Sequence, residues 1–513
     1  MFAIPRNYKN SCPNIYLLLQ ARFKSKESRA NSTSKNAPKI KALNHFDDFY
    51  ASVFGKEWEP MREALFRRSK YVAVVNNYGD TDKTVELLSN RGAHCLKKLI
   101  KVQQDFNDEY LPKPESSTAE QADNRLEDYI ERLQSSEVEN IYPQNSCGPD
   151  SLNVNNITIR SNKNEKNNKK MQVKTKSTTM EQSLAEAEID TSRIIDPSMG
   201  LTSESLYQYV PATQLKGMED YVPESLHYSL YSKGKDFPLI IEPETNFSYP
   251  EHLKVYTYEM DSEWNTFPEP RRCETGVYNY YPMDCGSVLA VLALGLSPGD
   301  RVLDLCAAPG GKALVALQTL LPDIVVCNDA SLSRVNRIHR VFGDYLHDFT
   351  TSNKWRERVL ITNFDGTAFT DDQGFDKVLV DVPCTTDRKT LKTDGNNIFR
   401  PDRIRERLKM PELQAQLLTN ALRLVRVGGA VVYSTCALSP VQNDGVVHAA
   451  LKAAFEAHQV VAAVRDLTIP MAAFSSTLKL GAGASAPKYG QLVVPSAAAN
   501  FGPTYLSRLV RLR

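Results

Sequence analysis

Val302-Leu303-Asp304-Leu305-Cys306-Ala307-Ala308-Pro309-Gly310-Gly311-Lys312 reads as a buried strand, a glycine turn and the start of a helix. Four more short apolar runs follow at helix-length intervals: Ile324–Cys327, Val359–Ile361, Val378–Val380 and Ala430–Tyr433. Runs of this length, separated by helical stretches, build a parallel sheet covered on both faces. The fold class is therefore α/β with a doubly wound sheet. Two late runs, Gln491–Val494 and Tyr505–Val510, supply candidate terminal strands.

The turn after the first strand lets a ligand approach the backbone at Gly310 and Gly311. It is not a P-loop. That motif needs Gly at the first position of GxxxxGK[ST] and a hydroxyl after the lysine, where this chain has Cys306 and Ala313. The dinucleotide pattern GxGxxG is also absent, which leaves a nucleoside cofactor without a phosphate cradle. The second strand ends at Asn328-Asp329, seventeen positions after Lys312, and an acid there suits two ribose hydroxyls. The third is followed by Phe364-Asp365-Gly366, where Asp365 can meet an adenine amino group and Gly366 leaves room for the ring. The fourth ends in Asp381-Val382-Pro383-Cys384. Taken singly, each Asp is more often a turn or cap residue. Jointly they sit where sites of this architecture lie, beyond the carboxyl ends of the strands. The pattern reads as S-adenosylmethionine bound to a class I methyltransferase, a Rossmann-like doubly wound fold.

Cys384 follows strand four and Cys436 follows strand five, so the two sulfurs should converge on one pocket. A metal is not indicated: the chain has no CxxC pair beside these positions, and its eight His show no ligand spacing. Cys306 and Cys327 read as core cysteines. Two convergent thiols suit one particular chemistry. Carbon 5 of cytosine is too weak a nucleophile to take a methyl group directly. A thiolate adding to carbon 6 makes the ring enamine-like, and the carbon 5 hydrogen must later leave with the thiol. Asp381 is placed to hydrogen-bond the ring and favour charge build-up in it. The base must be unstacked to present its face. The residues alone leave open which cysteine attacks.

CAAPGGK at 306–312, NDASLSR at 328–334, DVPCTTD at 381–387 and YSTCALS at 433–439 resemble the NSUN (Sun/NOL) RNA cytosine-5 methyltransferases. DVPCTTDR, NNIF at 396–399 and YSTC are similar to the mitochondrial ribosomal-RNA subtype in particular. YVPATQL at 209–215, YVPES at 221–225, IEPETNF at 241–247 and PEHLKVY at 250–256 are similar as well. The resemblance implies Cys436 as nucleophile and Cys384 as promoter of release from the product. It also implies a cofactor set of Gly310, Gly311, Lys312, Asp329, Arg334, Asp365, Gly366 and Asp381. Ala313 stands where relatives usually have Thr, and Ala437 where Ser is common; neither is a proposed reactive group.

Outward from this centre, the chain has 513 residues, enough for several domains. Lys+Arg is 62 and Asp+Glu is 61, which excludes a histone-like binder, and nine cysteines are too sparse for a disulfide scaffold. The balance is uneven. Residues 1–40 carry eight basic side chains and one acid, the middle to 270 is net −12, and 271–513 is net +6. The start is Arg- and Ser-rich and acid-poor, the composition of a mitochondrial transit peptide, or else a disordered tail. Residues 41–109 read as an N-terminal helical region, in which Phe46, Tyr50, Val53, Phe54, Trp58, Met61 and Leu65 give a helical pair its own small apolar face. Residues 110–200 read as a disordered linker or insertion, 201–270 as an extended lead-in, and 271–513 as the catalytic domain. No membrane-spanning run is present in the sequence.

Arg388, Lys389, Lys392, Arg400, Arg403, Arg405, Arg407 and Lys409 lie between the two cysteine motifs, where they can track a phosphate backbone or form a solvated face with Asp402 and Glu406. There is no RNA-recognition-motif signature, and a chain without its first 40 residues is net −6, so a partner is expected to supply RNA affinity. The resemblance implies a heterodimer with a helical-repeat protein of the mitochondrial transcription termination factor family. The expected product is 5-methylcytosine in mitochondrial small-subunit rRNA, in the matrix, with a role in ribosome assembly. The rival readings are a mitochondrial tRNA cytosine-5 methyltransferase and an assembly factor that acts mainly by binding.

Overall fold

The computed structural model describes residues 37–110, 237–245, 248–260, 262 and 267–513. The transit-peptide reading of 1–40 falls almost wholly outside these residues. So do the linker reading of 110–200, apart from Tyr110, and the first part of the 201–270 reading.

The described chain begins with α1 (Pro38–Phe54) and α2 (Trp58–Phe66). Pro38 opens α1 with a fixed φ and no amide to leave unsatisfied. Next come β1 (Val72–Val75), α3 (Thr81–Asn90), β2 (His94–Cys95) and α4 (Leu96–Tyr110). The chain returns in β3 (Ile240–Pro243), β4 (Val255–Thr257) and β5 (Tyr280–Met283). The region expected to be helical therefore also contributes strands. β1 and β2 join β4 and β5 in a small antiparallel sheet of order β2-β4-β1-β5. β1 is Val-Ala-Val-Val, buried on both faces, and finds its partners about 180 residues or more downstream, a pairing local sequence does not announce.

From there the alternation is regular: α5 (Cys285–Leu292), β6 (Arg301–Asp304), α6 (Gly311–Gln318), β7 (Ile324–Asn328), α7 (Leu332–Tyr345), α8 (Asn353–Arg358), β8 (Val359–Thr362), β9 (Phe375–Asp381), α9 (Asp387–Lys392), α10 (Ile404–Leu424), β10 (Val425–Thr435), α11 (Asp444–His458), β11 (Ala462–Asp466), α12 (Thr468–Ala472), β12 (Gln491–Val493) and β13 (Thr504–Arg511). Asp284 caps α5 by accepting the Gly286 amide at 2.8 Å. The main sheet has the order β3-β11-β13-β10-β9-β6-β7-β8, with β12 paired to β13. β8, β7, β6, β9 and β10 run parallel; β13 is antiparallel to both β10 and β11. The doubly wound sheet is as the apolar runs foretell, and both late runs are strands. Chain order reverses between β7 and β9 on either side of β6, the switch point where such sheets open a crevice.

The core divides along the pleat. Leu303, Val431 and Tyr433 face one layer with α10 and α11, while Val302 and Val432 face the other with α5, α6 and α7. The α1–α2 pair does not keep an apolar face to itself. Phe46, Tyr50, Phe54, Trp58, Met61 and Leu65 all join the first layer's core, and Phe46 meets Phe399 edge-on at 5.4 Å. Two short helices bury too little against each other, so their aromatic stripe covers the sheet's own helices instead. Among the described residues no helix is long and apolar enough to cross a membrane.

Candidate active site

The tips of β6, β7, β8, β9 and β10 carry the residues singled out from the sequence. Gly310 sits at φ +104, a left-handed conformation that a side chain would strain, and it sets the entry into α6. A Cβ on Gly311 would lie 2.9 Å from the Tyr281 hydroxyl, so the missing side chain makes room for the Tyr281 ring. Asn328 ties three tips together. Its amide donates to the carbonyls of Leu305 (3.1 Å) and Phe364 (2.9 Å), and its carbonyl accepts from Thr362 Oγ1 and the Phe364 amide.

Asp329 is 2% exposed, accepts the Ser331 amide at 3.1 Å and lies 3.3 Å from Arg334. Asp365 is exposed and is held in a local turn by the Thr367 amide and hydroxyl, each at 2.9 Å. Gly366 does not leave free space: a Cβ there would strike Leu417 at 2.7 Å and approach Leu305 at 3.2 Å. Its smallness admits the packing of α10. Next to it the Phe364 ring is 61% exposed.

Lys312 Nζ donates to Asp381 Oδ2 at 2.6 Å, while Ser434 Oγ donates to Asp381 Oδ1 at 2.9 Å. The register of β10 on β9 places Ser434 opposite Asp381 and so brings the two following loops together. There the Cys384 and Cys436 sulfurs are 2.9 Å apart. The Cys436 backbone amide donates to Cys384 Sγ at 3.3 Å. Cys384 is 8% exposed, whereas Cys436 is open to the cleft. The hydrogen bond to Cys384 and desolvation on the cleft floor push the Cys436 thiol well above its ordinary range, and the Asp381 charge adds to this while Lys312 opposes it. The cleft holds about 650 Å³ and is walled by Ala308, Arg334, Asp381, Lys389, Arg403 and the two cysteines, among others. As core residues, Cys327 is fully buried and Cys306 packs against the first layer.

Asp304 escaped the sequence reading as a site group. It is 2% exposed, and neither carboxyl oxygen has a partner. Burial and the nearby Asp381 and Asp329 charges push it up to about 8, against the pull of Lys312. Its position at a strand tip, in the quoted stretch itself, was the available signal. This has a consequence for stability. In the unfolded chain Asp304 releases its proton near pH ~4. Between there and about 8 the native state keeps a proton that the unfolded chain has lost. Asp304 therefore favours folding below that window, and its contribution falls as pH rises through it. Thermal melts of Asp304→Asn from pH 5 to 8.5 should show a shallower decline than wild type and a higher melting temperature at the alkaline end. Parallel curves would contradict the assignment.

Part of the basic run is committed to contacts within the chain. Arg388 donates to the carbonyls of Gly502 (2.8 Å) and Ala64 (3.1 Å) and to Asn500 Oδ1, and Lys392 donates to the Arg67 carbonyl at 2.7 Å. Both cations thus serve the exposed carbonyl end of α2. Arg400 pairs with Asp402, Arg403 pairs with Glu406, and Arg407 lies 4.4 Å over the Phe399 ring. Lys389 stays on the cleft wall, and Arg405 and Lys409 are exposed. A continuous eight-cation track is not formed. Among the described residues no group of three His, Cys, Asp or Glu is gathered as a metal site.

Residues 291–480 match the family model described as 16S rRNA methyltransferase RsmB/F. The chain is 32% identical to the 5-cytosine rRNA methyltransferase nsun-4 of Caenorhabditis elegans, over 97% of this chain and 98% of that one. The chain belongs to the NSUN family of RNA cytosine-5 methyltransferases. It is also 42% identical to the Bos taurus 5-cytosine rRNA methyltransferase NSUN4, over 51% of this chain and 67% of that one. A 32% identity to the mitochondrial tRNA (cytosine(34)-C(5))-methyltransferase of Danio rerio covers 56% and 71% of the two chains. The cofactor of the family is S-adenosylmethionine, and the cleft fits it. The buried Asp304 carboxyl, with neither oxygen hydrogen-bonded, gives the β6 tip unused polar capacity beside the left-handed Gly310 turn, which suits the cationic amino-acid end of that cofactor.

Proposed function

We propose that this chain makes 5-methylcytosine in mitochondrial small-subunit rRNA through a covalent adduct between Cys436 and the target cytosine. The observation that carries the reading is the cleft-facing Cys436 sulfur 2.9 Å from buried Cys384, with the Lys312–Asp381 pair on the neighbouring strand tip.

In this reading Gly310, Gly311, Lys312, Asp329, Arg334, Asp365, Gly366 and Asp381 shape the cofactor side of the cleft. Gly366 acts by letting α10 close rather than by touching the ligand. When bound, S-adenosylmethionine supplies an electrophilic methyl group. The chain's own residues prepare the acceptor. Cys436 loses its proton to solvent in the open cleft, and the thiolate adds to carbon 6 of an unstacked cytosine. Asp381, held by Lys312 and Ser434, is placed to accept from the amino group of the base, and the Lys312 ammonium beside it offsets the negative charge that develops in the ring. After carbon 5 has been methylated, Cys384, as thiolate, takes the carbon 5 proton; the C–H electron pair restores the ring double bond and the Cys436 sulfur leaves carbon 6 as thiolate.

The acid-poor, basic residues 1–40 support a mitochondrial address. The rRNA assignment is supported by relatives whose names specify rRNA. With Arg388 and Lys392 spent on backbone carbonyls and Arg400 and Arg403 on local acids, RNA affinity is assigned to a partner, a helical-repeat protein of the mitochondrial transcription termination factor family, and the methylation to ribosome assembly. Bisulfite mapping of mitochondrial RNA with and without the protein tests this. One protected cytosine in small-subunit rRNA should lose protection on depletion. Loss confined to a tRNA would replace the substrate, and no change at any cytosine would overturn the reading.

A further inference from the structure

Asp387 is completely buried beside the thiols, and the proposed chemistry gives it no step. Its carboxylate receives three donors from three parts of the chain. Tyr50 Oη on α1 donates to Oδ2 at 2.7 Å, the Leu438 amide donates to the same oxygen at 2.8 Å, and Thr385 Oγ1 donates to Oδ1. Thr385 directly follows Cys384, and Leu438 is two residues beyond Cys436. One carboxylate therefore holds both cysteine loops. The loops also grip each other, since the Asp387 amide donates to the Cys436 carbonyl and the Cys436 amide donates to Cys384 Sγ.

The Pro-Cys loop is secured on its other flank as well. Gln414 Nε2 donates to the Pro383 carbonyl at 2.7 Å, and Gln442 Oε1 accepts the Thr385 amide at 3.2 Å. This second grip comes from within the catalytic sheet's own helices and loops. The first depends on a residue 337 positions away, in the N-terminal helix. Tyr50 is 1% exposed, with its ring packed on Phe46 at 5.0 Å and Trp58 at 5.1 Å, so its hydroxyl has a fixed direction. A buried phenol with apolar neighbours on its ring and one acid at its tip is costly unless that hydrogen bond is made. Thr386, between Thr385 and Asp387, has φ +47, a conformation that a β-branched residue adopts only when its surroundings impose it.

We propose that Tyr50 and Asp387 are positioning residues that set the relative placement of the Cys384 and Cys436 sulfurs, making helix α1 part of the reaction apparatus. The inference rests on the two-cysteine reading above. Neither residue touches the base or the cofactor. Their effect passes through Thr385 and Leu438 to sulfurs whose placement relative to carbon 6 decides the rate.

The test uses the full chain with its RNA substrate. Tyr50→Phe deletes one hydroxyl and keeps the ring. The expected result is a fall of about tenfold in kcat with KM for RNA and for S-adenosylmethionine within about twofold. The same variant should change the ratio at which Cys436 and Cys384 are alkylated by iodoacetamide, read by peptide mass spectrometry. Phe54→Leu, which disturbs the same aromatic cluster without touching Asp387, should lower the melting temperature and leave kcat and the alkylation ratio at wild-type values. A wild-type kcat and alkylation ratio in Tyr50→Phe would overturn the proposal, and so would an equal loss in Phe54→Leu. Should Tyr50→Phe fail to fold, Thr385→Ala removes the second donor and carries the same expectations. Cys436→Ala separates this idea from its foundation. If that variant still methylates, the cysteine chemistry is wrong; if it is inactive while Tyr50→Phe is normal, only the positioning role fails.

Discussion

Cys436→Ala is expected to abolish methyl transfer, by about 10³-fold or more, while S-adenosylmethionine still binds. The argument is chemical first. Without covalent addition at carbon 6, carbon 5 of cytosine has no enamine character and the methyl acceptor is absent. It is then geometric, because Cys436 is the sulfur that faces the cleft and Cys384 lies beneath it. Methyl incorporation into RNA and cofactor binding by calorimetry, measured on one preparation, separate a lost nucleophile from a lost fold. The wild-type enzyme carries a companion signature. The Cys436 thiol is raised by its contact with Cys384, by burial and by Asp381, so thiolate is scarce at neutral pH. The rate should therefore climb with pH through the neutral and mildly alkaline range, about tenfold per unit where deprotonation limits it. A flat profile together with an active Cys436→Ala enzyme would place the nucleophile elsewhere.

Cys384→Ala should have the opposite appearance on a gel. Addition to the base and methylation need only Cys436, but release needs help at the departing sulfur. The variant should accumulate a protein–RNA species that survives denaturation, while multiple turnover collapses. The mechanism predicts nearly complete conversion of enzyme to adduct when competent RNA is in excess. The wild type, which clears the adduct in each cycle, should show little. The 2.9 Å sulfur contact underlies this expectation, since a group so close to the leaving sulfur can act on it directly. Reversed behaviour, with an adduct in Cys436→Ala and none in Cys384→Ala, would exchange the two roles.

The candidate site was legible as a cluster because its residues occupy strand ends, and strand ends announce themselves. An apolar run stops, and a polar or glycine residue follows. Gly310, Asp329, Asp381, Cys384 and Cys436 all carry that local mark, and the parallel sheet then brings them together. What stayed hidden depends on distant chain. Asp304 looked like the end of a strand, but its raised ionisation comes from Asp381 and Asp329, which reach it only through the fold. Gly366 looked like room for a ligand, yet Leu417, some fifty residues later, fills that space. The eight cations read as a phosphate track or as a solvated face, and the Arg400–Asp402 and Arg403–Glu406 pairs follow the second reading. Arg388 and Lys392 instead close the end of α2, whose carbonyls the periodicity of 43–70 does not aim at them. The aromatic spacing of Phe46, Tyr50 and Phe54 correctly marked a helix, but a hydrophobic stripe does not name its partner, and here the partner was the main core.

The main sheet has one seam. Among the described residues, β3 and β11 connect to the five parallel strands only through β13, which lies antiparallel between β10 and β11. Prising β13 out would sever that edge as a unit, yet β6, β7, β8, β9 and β10 would still be hydrogen-bonded to one another. β13 also pairs Leu506 with Ser434 and Tyr505 with Thr435, one residue before Cys436, so melting along this strand would loosen the β10 tip together with that edge. Lesions here should therefore shorten the lifetime of the protein and lower its turnover together.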